Sequence, residues 1–134
     1  MECMANSDNV IRAGLTPKPR DVPNLVSVLT YEASDWDKHV VKPVDISPHT
    51  RKYGSPIPDF TVLQVNTPKG ATETHEAIGG PSIAITTEGF GRVSWSGGVL
   101  DLKAGSVVFI GAETKIDITA GDSNLLVYRA YATA

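Results

Sequence analysis

From Pro58 onward the chain is divided into short stretches by turn-forming residues, and this punctuation limits what it can fold into more than anything else in the sequence. Pro68-Lys69-Gly70, Gly79-Gly80-Pro81, Glu88-Gly89, Ser96-Gly97-Gly98, Lys103-Ala104-Gly105 and Ala120-Gly121-Asp122-Ser123 all carry turn chemistry. The stretches between them read as strands at 59–66, 72–77, 82–87, 92–96, 98–101, 106–110, 115–119 and 124–132. Alternation is clear where Phe60, Val62 and Gln64 oppose Thr61, Leu63 and Val65, and where Ile116 and Ile118 oppose Asp117 and Thr119. About eight short strands at this spacing predict an all-β double antiparallel sheet of the jelly-roll kind.

Ahead of the strands the pattern differs. Val22, Leu25, Val26, Val28 and Leu29 recur at helical spacing, Asp21 suits the N-cap, and Pro23 is tolerated in a first turn. These predict one short helix over 22–30 that covers one side of the domain. From Tyr31 to Pro58 four prolines and scattered charges leave no period, so residues 21–58 read as that helix followed by a surface excursion packed on the sheet. A strand is expected there only near Val40-Val41. The whole chain reads as one domain, with the sheets in 59–134.

Several function classes fall away on composition. A net charge of −3 lacks the basic face of a nucleic-acid protein. No stretch approaches the roughly 20 apolar residues of a membrane span, and the first residues lack the layout of a signal peptide. Cys3 is the sole cysteine, which rules out an internal disulfide and points to a reducing, cytosolic setting. As a lone thiol with no basic neighbour, it reads as a small buried hydrophobe.

Motifs for covalent chemistry are missing too. Ser94-Trp95-Ser96-Gly97-Gly98 is a strand entering a turn and not a nucleophile elbow. Gly89-Phe90-Gly91-Arg92 is too short for a dinucleotide fingerprint. His39, His49 and His75 show no metal-ligand spacing, and adjacent His75 and Glu76 point to opposite faces of a strand. No metal is expected to be held by this chain. Of the two tryptophans, Trp95 is expected to pack in the core, and Trp36, among charged neighbours, is the better exposed platform for a sugar ring.

The chemistry-bearing stretch is Asn9-Val10-Ile11-Arg12-Ala13-Gly14-Leu15-Thr16-Pro17-Lys18. Two cations six residues apart sit on a segment that Gly14 bends and Pro17 stiffens. Arg12 as a planar fork and Lys18 as a point charge can grip a phosphate, while an ordinary solvated loop would also carry them.

The run from Glu2 to Lys18 closely resembles a signature block of the type I mannose-6-phosphate isomerases. The resemblance continues in Asp21-Val22-Pro23, Pro56-Ile57-Pro58-Asp59-Phe60, Pro81-Ser82-Ile83, Gly105-Ser106-Val107-Val108-Phe109-Ile110 and Tyr128-Arg129-Ala130. In that family these pieces fall in the C-terminal part of a much longer chain. The resemblance implies a cupin-type jelly roll, with residues 1–20 as an active-site segment. It implies that Arg12 is a catalytic residue, that Lys18 and Glu2 contact the sugar phosphate, and that residues 2–5 belong to a sheet ending at the metal site. Zinc is implied for the full-length family, but its ligands lie ahead of Glu2, so the isolated chain is expected to be inactive. Beginning inside a family motif fits an expression fragment or a truncated gene product. Residues 2–5 would then expose a sheet edge through which the chain self-associates. The competing expectation is a stand-alone, non-catalytic jelly roll that binds a carbohydrate or a protein surface.

Overall fold

A computed structural model describes residues 3–4, 10–56 and 58–133. The chain divides into two compact units, Glu2–Val40 and Val41–Ala134 together with Met1.

In the first unit, α1 (Val22–Val28) is a two-turn helix. The Asp21 carboxylate caps it, accepting from the Asn24 backbone N–H at 3.2 Å and from the Asn24 side chain at 2.6 Å. Pro23 sits in the first turn, where its missing N–H costs nothing. The helix stops two residues before the expected end, because Leu29 is already extended. None of its residues is buried, contrary to the expected covering role. A single 3₁₀ turn follows at Trp36–His39. Cys3 and Met4 are not in a strand; the rest of the strand expected over 2–5 lies outside the described residues.

The second unit is a two-layer β structure. Its strands are β1 (Val44–Asp45), β2 (Thr50–Gly54), β3 (Phe60–Thr67), β4 (Thr72–His75) and β5 (Ser82–Glu88). They continue with β6 (Phe90–Trp95), β7 (Gly98–Lys103), β8 (Val107–Ile110), β9 (Ile116–Ala120) and β10 (Leu125–Ala132). One sheet runs β1-β2-β3-β10-β5-β8 and the other β4-β9-β6-β7, every pair antiparallel. All eight expected strands are present, two of them lengthened by two residues or more (β6 at its start, β7 at its end). The other two strands correct the surface excursion. β2 adds to the six-stranded sheet with Thr50 opposite Val65 and Gly54 opposite Thr61, and β1 pairs with β2 at Val44 and Asp45 and not at Val40-Val41. Their polar run Thr-Arg-Lys-Tyr-Gly masked the strand, since only one of its side chains is buried.

Between the sheets the inward-facing alternates form the core: Leu63 and Val65 of β3, Val93 of β6, Leu102 of β7, Ile116 and Ile118 of β9, and Leu125 and Val127 of β10. The register decides this, because a one-residue slip would turn every one of these side chains to solvent. The chain crosses from one sheet to the other between β5 and β6 at Gly89, with φ at +82°. A side chain there would run into the Asn124 carbonyl, and at Gly91 into the Thr119 carbonyl, so the corner admits only glycine. Ser96 and Gly97 make the two-residue turn joining Trp95 to Gly98.

Candidate functional site

The first unit carries the sequence-derived candidates. Arg12 is half-buried and its carbonyl accepts the Asp21 N–H at 2.8 Å, which closes the segment from 12 to 21 into a loop just ahead of α1. Lys18 is exposed; its backbone N–H donates to the Thr16 hydroxyl at 3.2 Å. The loop therefore holds the guanidinium's base in place and leaves the ammonium free to reach. Glu2 lies outside the described residues. Cys3 is half-buried with a free thiol. Trp36 is 78% exposed, as expected for a polar stretch, whereas Trp95 is 37% exposed and not a core residue. Its strand ends there, and beside the Ser96-Gly97 turn the ring stays partly open to solvent.

The second unit holds a polar cluster that the sequence reading missed. Five buried side chains meet between the sheets: Thr50 from β2, Glu73 and His75 from β4, Ser82 from β5 and Arg129 from β10. Arg129 Nε donates to the Ser82 hydroxyl at 2.9 Å, and its Nη1 meets His75 Nδ1 at 3.2 Å. His75 Nε2 lies 3.0 Å from Thr50 Oγ1, which donates to Glu73 Oε1 at 2.6 Å. The Ser47 hydroxyl donates to the same carboxylate oxygen.

These partners fix every proton in the chain. A guanidinium can only donate, so Nδ1 must accept and Nε2 must carry the hydrogen. That hydrogen goes to Thr50, whose own hydrogen goes to Glu73. Cation and carboxylate are thus connected through a neutral imidazole and a hydroxyl, with donors and acceptors matched throughout. Burial, and after it the Arg129 charge, push the His75 pKa down to about 4, with Glu73 opposing them. Burial also lowers the Arg129 pKa.

This arrangement does not do nucleophilic chemistry. A hydroxyl is activated by an imidazole nitrogen that can take its proton. Here Nε2 already bears a hydrogen and Nδ1 is held by a cation, so Thr50 has no base. Nor do these residues suit zinc: the accepting nitrogen of His75 is taken by Arg129, Glu73 Oε1 by Thr50 and Ser47, and among the described residues no three His, Cys, Asp or Glu side chains converge. The cluster joins the two sheets. Its signal in the sequence is Glu73-Thr74-His75, since residues two apart on a strand share a face, whereas the adjacent His75 and Glu76 do not. Glu76 instead faces solvent and pairs with Lys115 at 2.7 Å, which raises the Lys115 pKa.

Comparison with known proteins bears on both units. Residues 53–98 match a family model described as the C-terminal part of type I phosphomannose isomerase. The whole chain aligns at 42% identity with 31% of the mannose-6-phosphate isomerase of Cryptococcus neoformans. Among solved structures, the Salmonella typhimurium mannose 6-phosphate isomerase bound to substrate (f6p) and zinc superposes with a TM-score of 0.80 at 30% identity, covering 98% of this chain and 32% of that one. A cupin protein from Bacteroides fragilis superposes at 0.57 and 19% identity over 70% of this chain and 85% of its own, a likeness of fold that agrees with the jelly roll. The chain spans about a third of the length of the curated relatives that it matches. Along its whole length the chain corresponds to the C-terminal part of the type I phosphomannose isomerases.

Proposed function

We propose that this chain supplies the Arg12–Lys18 segment to the active site of a mannose-6-phosphate isomerase, which interconverts mannose 6-phosphate and fructose 6-phosphate. The observation that carries the reading is the half-buried Arg12 on a loop closed by the Asp21 N–H, within a chain that matches a third of such an enzyme end to end. Moving a carbonyl between C1 and C2 of a sugar develops negative charge on the two oxygens. A guanidinium held in place beforehand stabilises that charge without reorganising. Lys18, exposed and mobile on its stem, suits the phosphate, and Glu2 a sugar hydroxyl. The metal ligands are assigned to the part that the relatives carry outside this stretch, so the isolated chain is inactive. In this reading the chain works in the cytosol and self-associates.

The test is Arg12→Ala in the full-length isomerase that contains this stretch. A fall in kcat of about 10²- to 10³-fold is expected, the usual effect of losing a donor at developing charge. Unchanged turnover would remove Arg12 from the chemistry and favour the non-catalytic module. The purified 134-residue chain with added zinc should show no isomerisation. Chelator-sensitive turnover by that chain would overturn the assignment of the metal ligands elsewhere.

A further inference from the structure

The helix α1 stays open on the face that its sequence would cover. Val22, Leu25, Val26 and Leu29 stand at i, i+3, i+4 and i+7, which places them on one face. Val22, Val26 and Leu29 are each about half exposed, and no residue of the helix is buried. The helix Val-Pro-Asn-Leu-Val-Ser-Val carries no charge. Its two polar side chains, on the opposite face, turn back on their own segment. The Asn24 amide donates to the Asp21 carboxylate at 2.6 Å, and the Ser27 hydroxyl donates to the Asn24 carbonyl at 2.9 Å. A helix that meets water carries charged residues on its outer face, whereas the core of an interface is depleted of them. A helix this short also draws its stability from packing of its apolar face and not from its own propensity. Just ahead of it Leu15 is fully exposed, and Val10 and Ile11 are exposed as well.

We propose that the α1 stripe docks on the part of the isomerase that precedes this stretch, and that docking holds the Arg12 loop in place. The chain spans about a third of the length of its relatives and corresponds to their C-terminal part, so a large polypeptide lies ahead of it in those enzymes. The surface that receives the stripe is apolar and uncharged, because a charge set against it would be buried without a partner. Arg12 follows the helix because Asp21 joins them: its carboxylate caps α1, and its N–H donates to the Arg12 carbonyl at 2.8 Å. The docking rests on the proposed function for the identity of its partner.

The same charge is placed on either side of the helix. Val26→Lys puts an ammonium on the stripe, and Ser27→Lys puts it on the opposite face. Lysine is a better helix former than valine or serine, and a cation suits the last turn, so α1 itself is not weakened. In the full-length isomerase that contains this stretch, Val26→Lys should lower the thermal midpoint by about 3 °C or more and kcat by about tenfold, with KM unchanged. Ser27→Lys should change none of these. In the 134-residue chain neither substitution should move the midpoint. Equal effects of the two variants in the full-length enzyme, or none, would overturn the docking. So would a midpoint lowered as much in the 134-residue chain, since the stripe would then be covered from within it. A dimer of that chain which Val26→Lys splits in sedimentation would overturn it too, with a second copy as the occupant. A lowered midpoint with full kcat would overturn the hold on Arg12. Silence of Arg12→Ala sinks only the proposed function, because the midpoints still read the docking.

Discussion

Replacing His75 by Gln isolates the titration of the buried cluster from everything else that acid does to the molecule. The amide of Gln offers one acceptor and one donor, as the neutral imidazole does toward Arg129 and Thr50, but it does not take up a proton. In the native state His75 titrates at about 4, against 6.5 when unfolded. The unfolded chain therefore binds more protons between those values, and stability from this residue is complete above about 6.5 and declines as pH falls toward 4. Below 4 both states are protonated and the loss stops growing. A gap of about 2.5 pH units is worth about 3 kcal/mol in total, of which about 2 kcal/mol is gone by pH 5.

The physical cause is specific. Burial disfavours the charged imidazole first, and a proton added at Nδ1 would also face the Arg129 N–H, two donors in contact. The assay is urea unfolding of both proteins at several pH values from 8 to 4, with stability taken by linear extrapolation. The informative quantity is the difference between wild type and variant, since carboxylates elsewhere cancel in it. That difference should shift against the wild type by about 2 to 3 kcal/mol on acidification. A difference that is flat across this range, or one that moves in the wild type's favour, would refute the proton assignment. A change in slope with denaturant would mean that the variant alters the unfolded or native state, and a second neutral replacement, His75→Asn, would then be measured.

Two further outcomes follow from packing. Thr67 and Thr86 are fully buried with hydroxyls that have no partner among the described residues, so Thr67→Val or Thr86→Val should leave stability unchanged or raise it by about 1 kcal/mol in calorimetry. Destabilisation by more than that would show that the hydroxyl is bonded in solution. Gly89→Ala forces a side chain toward the Asn124 carbonyl at a positive φ and should cost about 2 kcal/mol or more, read as a lowered midpoint in the same urea assay.

The sequence made the strands legible where both signals agreed, a period of two and a turn at each end. It failed at 44–54 because β2 lies with most of its side chains outward, so Arg51 and Lys52 look like loop residues although their backbone completes a sheet. Hydrogen bonding of the main chain leaves no mark on side-chain composition. The helix was legible through its cap, but its burial was not, since an apolar stripe shows only which face would be buried if something met it.

Arg12 and Lys18 emerged from local wording, being close in sequence. The buried cluster draws on residues from 50 to 129, and no local pattern announces a contact between β2, β4, β5 and β10. What the sequence does hold is a set of costs. A fully buried arginine is unfavourable unless its charge is answered, and in this chain the answer comes indirectly, through a histidine kept neutral and a threonine, from Glu73. Since removing any one member strands the others, Tyr128-Arg129-Ala130 in the family wording and Glu73-Thr74-His75 outside it make one unit. That unit sets which residues of two separate sheets must face each other, a role for which an apolar replacement would hold the layers together without fixing their register.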